Sequence, residues 1–165
     1  MAFALPDSAI ANMTPGTATI TQFKVGFAAV LTDVAAADIT VTGAPDTKPE
    51  ITLPDGPAPA ELVITDLVEG DGAEAGPNAT VTVHYVGVSW THGGKQFDAS
   101  WDRGSTISFG LNQVIAGWTE GIPGMKVGGR RMLVIPPNKG YGAQSPTPAI
   151  APNDTLVFVI DLVAV

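Results

Sequence analysis

Few residues in this sequence have the type and spacing needed for acid–base chemistry. His84 and His92 are the two histidines, and His92 lies in a glycine-rich turn. His84 alternates with apolar neighbours and has no serine or carboxylate motif around it, which favours a buried structural histidine over a catalytic base. Asp98 and Asp102 are four residues apart, but the adjacent Arg103 predicts an ion pair rather than two catalytic carboxylates.

Metal, thiol and nucleotide chemistry also lack support in the sequence. The chain has no cysteine, which excludes a disulfide, a thiolate metal site and a cysteine nucleophile. No metal-ligand spacing is present, and Gly128-Gly129 lacks the surrounding pattern of a phosphate-binding loop. We therefore expect neither a metal nor a cofactor.

An aromatic and aliphatic set without a nucleophile is what remains. The residue types alone leave open whether these side chains form a core or line a pocket, and for Phe109 the core interpretation is at least as good. Two tyrosines have hydroxyl groups that prefer a polar partner or the edge of a cleft. The set consists of Tyr85, Phe97, Phe109, Val114, Ile115, Trp118, Tyr141 and Phe158.

The elements that must position this set are mostly strands. Branched residues dominate 62–68, and residues 80–88 alternate between apolar and polar types. One short helix is predicted from Val114 to Gly121, where glycine and Pro123 end it. Several strands with one short helix and no βαβ alternation predict an antiparallel α+β domain. Further strands are predicted over 106–111, 131–135 and 156–165, with a hairpin turn at 92–95.

Charge and hydropathy limit the partners of the chain. It has 165 residues, a net charge of −8 and 45% hydrophobic residues, enough for a buried core but without the basic stripe that nucleic acid requires. No stretch reaches the roughly 18 apolar residues of a membrane-spanning helix. Residues 24–37 match a signal peptide poorly, because one lysine precedes the apolar run and Asp33 interrupts it. We expect a cytoplasmic protein without nucleic-acid or membrane partners.

The first 60 residues differ in composition from the rest. They contain seven prolines, no Trp and no Tyr, and five of the prolines lie between Gly43 and Pro59. Such a run is typical of a linker. A weak strand pattern over 17–23 and a weak helix pattern over 27–37 precede it, and a loosely ordered segment is the favoured interpretation. We predict an N-terminal extension and Pro-rich linker over 1–60 and one folded domain over 61–165.

Six short motifs follow one another in the second part of the chain. They are VHYVG (83–87), GKQFDAS (94–100), VIAGW (114–118), the segment from Gly121 to GGRR (128–131), the pair IP (135–136) with YG (141–142), and TLVF (155–158). Their order and spacing resemble the FKBP family, the tacrolimus-binding peptidyl-prolyl cis/trans isomerases. The resemblance runs from about Glu61 to Val165 and does not include residues 1–60.

The resemblance implies a fold and a set of site residues. The implied fold is an antiparallel half-barrel sheet wrapped around the short helix, with an apolar cleft whose floor is Trp118. The backbone N–H of Ile115 would face a ligand carbonyl, and Arg103 would hold Asp98. The implied catalytic residues are Tyr85, Phe97, Asp98, Trp118 and Tyr141, and the implied substrate-binding residues are Val114, Ile115, Ile150, Phe158, Arg103 and Ile107.

Three features depart from the family pattern. Ile107 stands where an aromatic residue is usual, the segment 110–114 is short, and the loop 143–151 has prolines but no aromatic residue or histidine. The implied activity is isomerisation of X–Pro bonds in unfolded or flexible polypeptides by a monomer, with tacrolimus-like macrolides as further ligands. The alternative is a catalytically weak module that binds proline segments or acts as a chaperone through the same cleft.

Overall fold

An antiparallel sheet of six strands forms the framework of residues 38–165, the part of the chain that the computed structural model describes. The patterns noted over 17–23, 24–37 and 27–37 lie outside the described residues. The strands of the sheet are β3 (Val63–Val68), β4 (Thr80–Ser89), β5 (Lys95–Ala99), β6 (Ile107–Gly110), β7 (Arg130–Ile135) and β8 (Leu156–Ala164). Ahead of them, β1 (Thr40–Thr42) and β2 (Glu50–Thr52) form a two-stranded hairpin.

Strand β4 holds the sheet together because it pairs with three other strands. The order is β3-β7-β8-β4-β5, and all of the pairings are antiparallel. Strand β8 runs along one edge of β4, while β6 and β5 share the other edge, opposite the first and second halves of β4 respectively. The chain changes direction between β5 and β6 through a short helix, α1 (Ser100–Arg103).

A second short helix, α2 (Ala116–Gly121), lies directly on strand β7. Two of its residues are glycines, and each faces a large aliphatic side chain. A Cβ atom added at Gly117 would come within 2.6 Å of Ile135, and one added at Gly121 would come within 2.6 Å of Leu133. Glycine is therefore what lets the helix axis approach the sheet this closely.

The sheet is buried on both faces, and each face carries its own hydrophobic cluster. The inner cluster lies between the sheet and α2 and includes Val83, Tyr85, Trp118 and Leu133. Because side chains alternate along a strand, the neighbouring residues form an outer cluster on the opposite face. The outer cluster consists of Ile39, Val86, Val88, Ala99, Met132, Val134, Val157 and Val159.

The hairpin β1–β2 covers the outer cluster. Ile39 is buried there, and Val41 and Ile51 are partly buried against it. Arg130 fixes the hairpin turn: it is paired with Asp161 at 2.6 Å, and its guanidinium also donates to the carbonyl oxygens of Gly43 at 3.2 Å and Thr47 at 2.6 Å.

The interpretation of the Pro-rich run 43–59 as a poorly paired linker is wrong for Glu50–Thr52, which pairs with β1. Proline removes a backbone donor, and the prolines here flank this strand rather than interrupt it. The domain boundary at residues 60 and 61 stays a prediction.

Most of the expected elements are present, and the α+β antiparallel fold class is confirmed. The strands predicted over 62–68, 80–88, 106–111, 131–135 and 156–165 match β3, β4, β6, β7 and β8, and the helix begins at Ala116. Helix α1 was not predicted, because four residues are too few to show a helical period. Among residues 38–165, no helix combines the length and the apolar character needed to cross a bilayer.

These contacts predict that residues 39–48 stabilise the domain without being required for its fold. A chain shortened to residues 49–165 loses Ile39 and the two carbonyl partners of Arg130, but it keeps the inner cluster. We expect cooperative folding with a free energy of unfolding roughly 2–5 kcal/mol below that of residues 38–165. Urea unfolding of the two chains measures the difference. Equal midpoints would show that the hairpin does not seal the outer face.

Candidate active site

Trp118 lies at the centre of an aromatic cluster on the inner face. Its ring meets those of Phe109, Phe158 and Tyr85 at centroid distances of 5.0, 5.1 and 5.3 Å, each in an edge-on arrangement. Edge-on packing is favourable because the positive edge of one ring faces the negative face of the next. Trp118 is 4% exposed, so it is buried at the centre of these rings, and the four rings together are called the aromatic floor. Phe109 thus touches the predicted site, although its residue type alone left its role open.

Strand geometry also brings Phe97 to this floor. Phe97 from β5 packs edge-on against Phe158 from β8 at 5.5 Å. Gly87 of β4 lies between them, and a Cβ atom there would come within 2.6 Å of Phe97 and 2.7 Å of Phe158. Sequence reasoning gave Gly87 no role. A glycine inside a strand pattern is the signal that indicates such a close approach.

A hydrogen-bonded group of three residues forms the polar wall of the site: Tyr85, Asp98 and Arg103. The hydroxyl of Tyr85 donates to one carboxylate oxygen of Asp98. Arg103 donates to the other oxygen at 2.6 Å and to the Tyr85 hydroxyl at 3.2 Å. The ion pair between Asp98 and Arg103 is therefore confirmed. Gly104, in a left-handed conformation with φ of 74°, ends α1 immediately after Arg103.

The polar wall sets the charge state of its members. Burial of Asp98 would raise the pKa of its carboxyl, but hydrogen bonds from Tyr85 and Arg103 and the charge of Arg103 outweigh it and hold the pKa below its ordinary value. Burial, together with the hydrogen bond to Asp98, raises the pKa of the Tyr85 hydroxyl. At neutral pH the wall thus contains a neutral tyrosine, a carboxylate and a guanidinium.

The other predicted site residues, namely Tyr141 of the catalytic set and several of the substrate-binding set, divide into buried and exposed members. Ile150 is 3% exposed within the inner cluster, and Val114 and Ile115 are partly buried against it. Tyr141 and Ile107 are 40% and 37% exposed and stand outside this cluster. Ile107 pairs with Val83 across the strands, which places it on the inner face at the rim of the sheet.

His84 and Asp102 lie outside the aromatic cluster. His84 stacks on Trp101 with ring centroids 3.9 Å apart, and its Nδ1 lies 2.9 Å from the Ser100 hydroxyl. Asp102 pairs with Lys48 of the hairpin turn at 2.7 Å. His84 is thus half-buried rather than fully buried as predicted, and its non-catalytic role stays a prediction. Asp98 and Asp102 pair with different cations rather than with each other.

Comparison with known families decides the identity of this fold. The family model described as FKBP-type peptidyl-prolyl cis-trans isomerase matches residues 72–163. This chain belongs to that family. The enzyme class implied by the six motifs, a peptidyl-prolyl cis/trans isomerase, is thereby confirmed.

Individual relatives agree with this membership. A Streptomyces anulatus protein named FK506-binding protein is 53% identical over 121 residues, which cover 72% of this chain and 97% of that protein. The crystal structure of FkpA from Escherichia coli superposes with a TM-score of 0.56 at 44% identity, over 62% of this chain and 46% of the other. A peptidyl-prolyl cis-trans isomerase structure from Pseudomonas syringae gives a TM-score of 0.56 at 38% identity, over 62% and 74%.

The site geometry predicts which substitutions separate catalysis from folding. Phe97→Ala and Tyr141→Ala remove partly buried or exposed rings, so we expect kcat/KM to fall about five- to tenfold with the fold retained. Trp118→Ala removes the buried centre of the aromatic floor and should also lower the free energy of unfolding by about 3–5 kcal/mol. Peptide isomerisation rates and thermal unfolding measure the two effects.

A matched control is Val163→Ala, since Val163 is 44% exposed and lies outside both clusters. Its rate and melting temperature should match those of the unmodified protein. Full activity in the Phe97 and Tyr141 variants would contradict the assignment of these rings to the cleft.

Proposed function

We propose that the protein isomerises X–Pro bonds in the apolar cleft above Trp118, and that it thereby assists the folding of other polypeptides. The observation that carries this proposal is the aromatic floor with a polar wall at its edge. No group in this arrangement acts as a nucleophile. A prolyl ring fits such a surface through apolar contact. The polar wall offers fixed hydrogen-bonding groups to the peptide groups next to the proline.

The mechanism follows from the electronic structure of the amide. Resonance makes the bond planar and gives rotation a barrier of about 18–20 kcal/mol. The resonance form separates charge, and water stabilises it. Contact with Tyr85, Trp118 and Phe158 replaces that water with apolar surface, which lowers the cost of the twisted amide. The rate rises tenfold for every roughly 1.36 kcal/mol by which the cleft stabilises the twisted amide more than the planar amide.

The polar wall supports this mechanism by position rather than by proton transfer. Arg103 and Tyr85 hold both oxygens of Asp98, so the carboxylate cannot turn freely. We propose that the backbone N–H of Ile115 faces a substrate carbonyl, as the family resemblance implies. Ile115 directly precedes α2 in an extended conformation, with φ of −60° and ψ of 151°.

We extend the proposal to the partners of the protein. The substrates are X–Pro segments of unfolded or flexible polypeptides. The likeness to a relative named for binding FK506 supports tacrolimus-like macrolides as ligands of the same cleft. A monomeric state, a cytoplasmic location and the lack of nucleic-acid or membrane partners remain part of the proposal.

The first test measures the reaction itself. The purified protein should accelerate the cis-to-trans conversion of a peptide with a bulky apolar residue before proline, because an apolar cleft favours such a residue. The rate is followed with the peptide alone and with micromolar protein. Binding of the peptide without any acceleration would instead support the alternative function, a module that only holds proline segments.

The charge states of the polar wall predict a flat pH dependence of turnover from about pH 6 to pH 9. Asp98 has a lowered pKa and Tyr85 a raised one, so neither changes charge in this interval. The stability that ionised Asp98 contributes is present above its unfolded-state pKa of about 3.9 and is lost progressively as the pH falls from there through the lower folded-state value. Rates across this interval, in light and heavy water, check the prediction.

His84→Gln provides the control for this pH experiment. The His84 ring contacts Ser100 and Trp101 rather than the aromatic floor, so its replacement should alter stability more than rate. A rate step in the neutral range, where histidine generally titrates, would contradict the mechanism if the His84 variant lacked that step.

A further inference from the structure

A buried polar cluster joins the β4–β5 turn to the loop that carries two of the predicted site residues. The loop spans residues 141–152 and includes Tyr141 at its start and Ile150 near its end. Ser89, at the end of β4, is 0% exposed, and Asp154, just after the loop, is 3% exposed. The Ser89 hydroxyl donates to an oxygen of the Asp154 carboxylate. Two polar groups this deeply buried need hydrogen-bond partners. Their partners lie in the β4–β5 turn and in the loop 141–152.

Asp154 bonds to the turn on one side and to the loop on the other. One carboxylate oxygen accepts the backbone N–H of Thr91 at 3.0 Å, and the other accepts the backbone N–H of Ala151 at 3.0 Å. Ala151 directly follows Ile150. Burial would raise the pKa of the Asp154 carboxyl, but the hydrogen bonds from Ser89, Thr91 and Ala151 outweigh it and lower the pKa, so the acceptor stays ionised near neutral pH.

His92 adds a second bridge to the same loop. Its Nδ1 lies 3.0 Å from the carbonyl oxygen of Ala149 and 3.1 Å from the Ser89 hydroxyl. A carbonyl only accepts hydrogen bonds, so Nδ1 must carry the hydrogen and donate it. Glycines at 93 and 94, with φ of 71° and 92°, form the turn that presents His92 to the loop.

The loop is also closed by its own hydrogen bonds. The Ser145 hydroxyl contacts the carbonyls of Thr147 and Ile150, and the backbone N–H of Asn153 donates to the Gly142 carbonyl at 2.7 Å. These bonds shape the loop but do not attach it to the sheet. Ala149 and Ala151, which flank Ile150, are the points at which His92 and Asp154 make that attachment.

We propose that Ser89, His92 and Asp154 are positioning residues that hold the loop 141–152 at the cleft and thereby increase affinity for the substrate. The inference rests on the proposed function, because it assumes that Ile150 and Tyr141 contact the bound chain. A loop held in place before binding does not have to be ordered by the substrate, so its fixation acts on KM more than on kcat.

The test compares substitutions that remove and restore one bridge. His92→Ala removes the donor to Ala149, whereas His92→Asn places an amide N–H close to the position of Nδ1. For His92→Ala we expect KM to rise about two- to tenfold with kcat nearly unchanged. His92→Asn should recover most of the affinity. Because His92 is exposed, both variants should remain folded.

Asp154→Asn and a distant variant complete the set. An asparagine cannot accept from both sides as the carboxylate does, so KM should rise further. Relative to the unmodified protein, the exchange rate of the Ile150 and Ala151 amide hydrogens should increase more than that of the β8 amide hydrogens. Thr47→Ala is the matched control, since it removes a similar side-chain bond, to the carbonyl of Ala44, in the distant hairpin turn. It should leave both KM and loop exchange unchanged.

The outcomes separate this inference from the proposed function. An unmodified protein that fails to accelerate isomerisation overturns the proposed function, and this inference with it. An active protein whose His92→Ala and Asp154→Asn variants keep the original KM overturns the inference alone. A rise in KM that His92→Asn does not reverse, or that occurs without faster exchange in the loop, also overturns it.

Discussion

Helix α2 can carry the aromatic floor only because it lies in direct contact with strand β7. The contact depends on Gly117 and Gly121, which face Ile135 and Leu133 with no room for a Cβ atom. Trp118 lies between the two glycines and is thereby directed into the inner cluster, where three other rings pack against its edges and faces. Any larger residue at either glycine would lift the helix, and with it the floor on which the substrate amide is expected to rest.

The same sheet has to be buried on its opposite face, and this second requirement explains the hairpin β1–β2. Strands β7 and β8 are apolar on both faces, so an uncovered outer cluster would leave a contiguous apolar surface in water. Arg130 makes two kinds of contact: it forms an ion pair with the buried Asp161, and it donates hydrogen bonds to two carbonyl groups of the hairpin turn. Burial of the outer face thus stabilises the sheet whose inner face carries the aromatic floor.

The sequence allowed most of the framework to be predicted, because β4 and β8 have strong strand patterns and the family motifs fall on consecutive elements. The Asp98–Arg103 ion pair was also predictable, since its partners are five residues apart. What remained hidden depends on distant contacts. The strand at Glu50–Thr52 is stabilised by packing on the outer cluster, and the bond between Ser89 and Asp154 joins residues 65 positions apart. Neither of these two contacts produces a local pattern of apolar and polar residues in the sequence.

The two carboxylates near the aromatic floor, Asp98 and Asp154, share one property, which is that hydrogen bonds immobilise them in the ionised form. Asp98 is held by two partners and Asp154 by three, and each carboxyl has a lowered pKa. Amide rotation moves no proton and breaks no covalent bond, so a titratable base would contribute nothing to it. Rotation does require an apolar surface whose position stays fixed while the substrate twists against it. In the proposed mechanism, the hydrogen-bonded carboxylates of Asp98 and Asp154 supply that rigidity, while the rings of Tyr85, Trp118 and Phe158 supply the apolar surface.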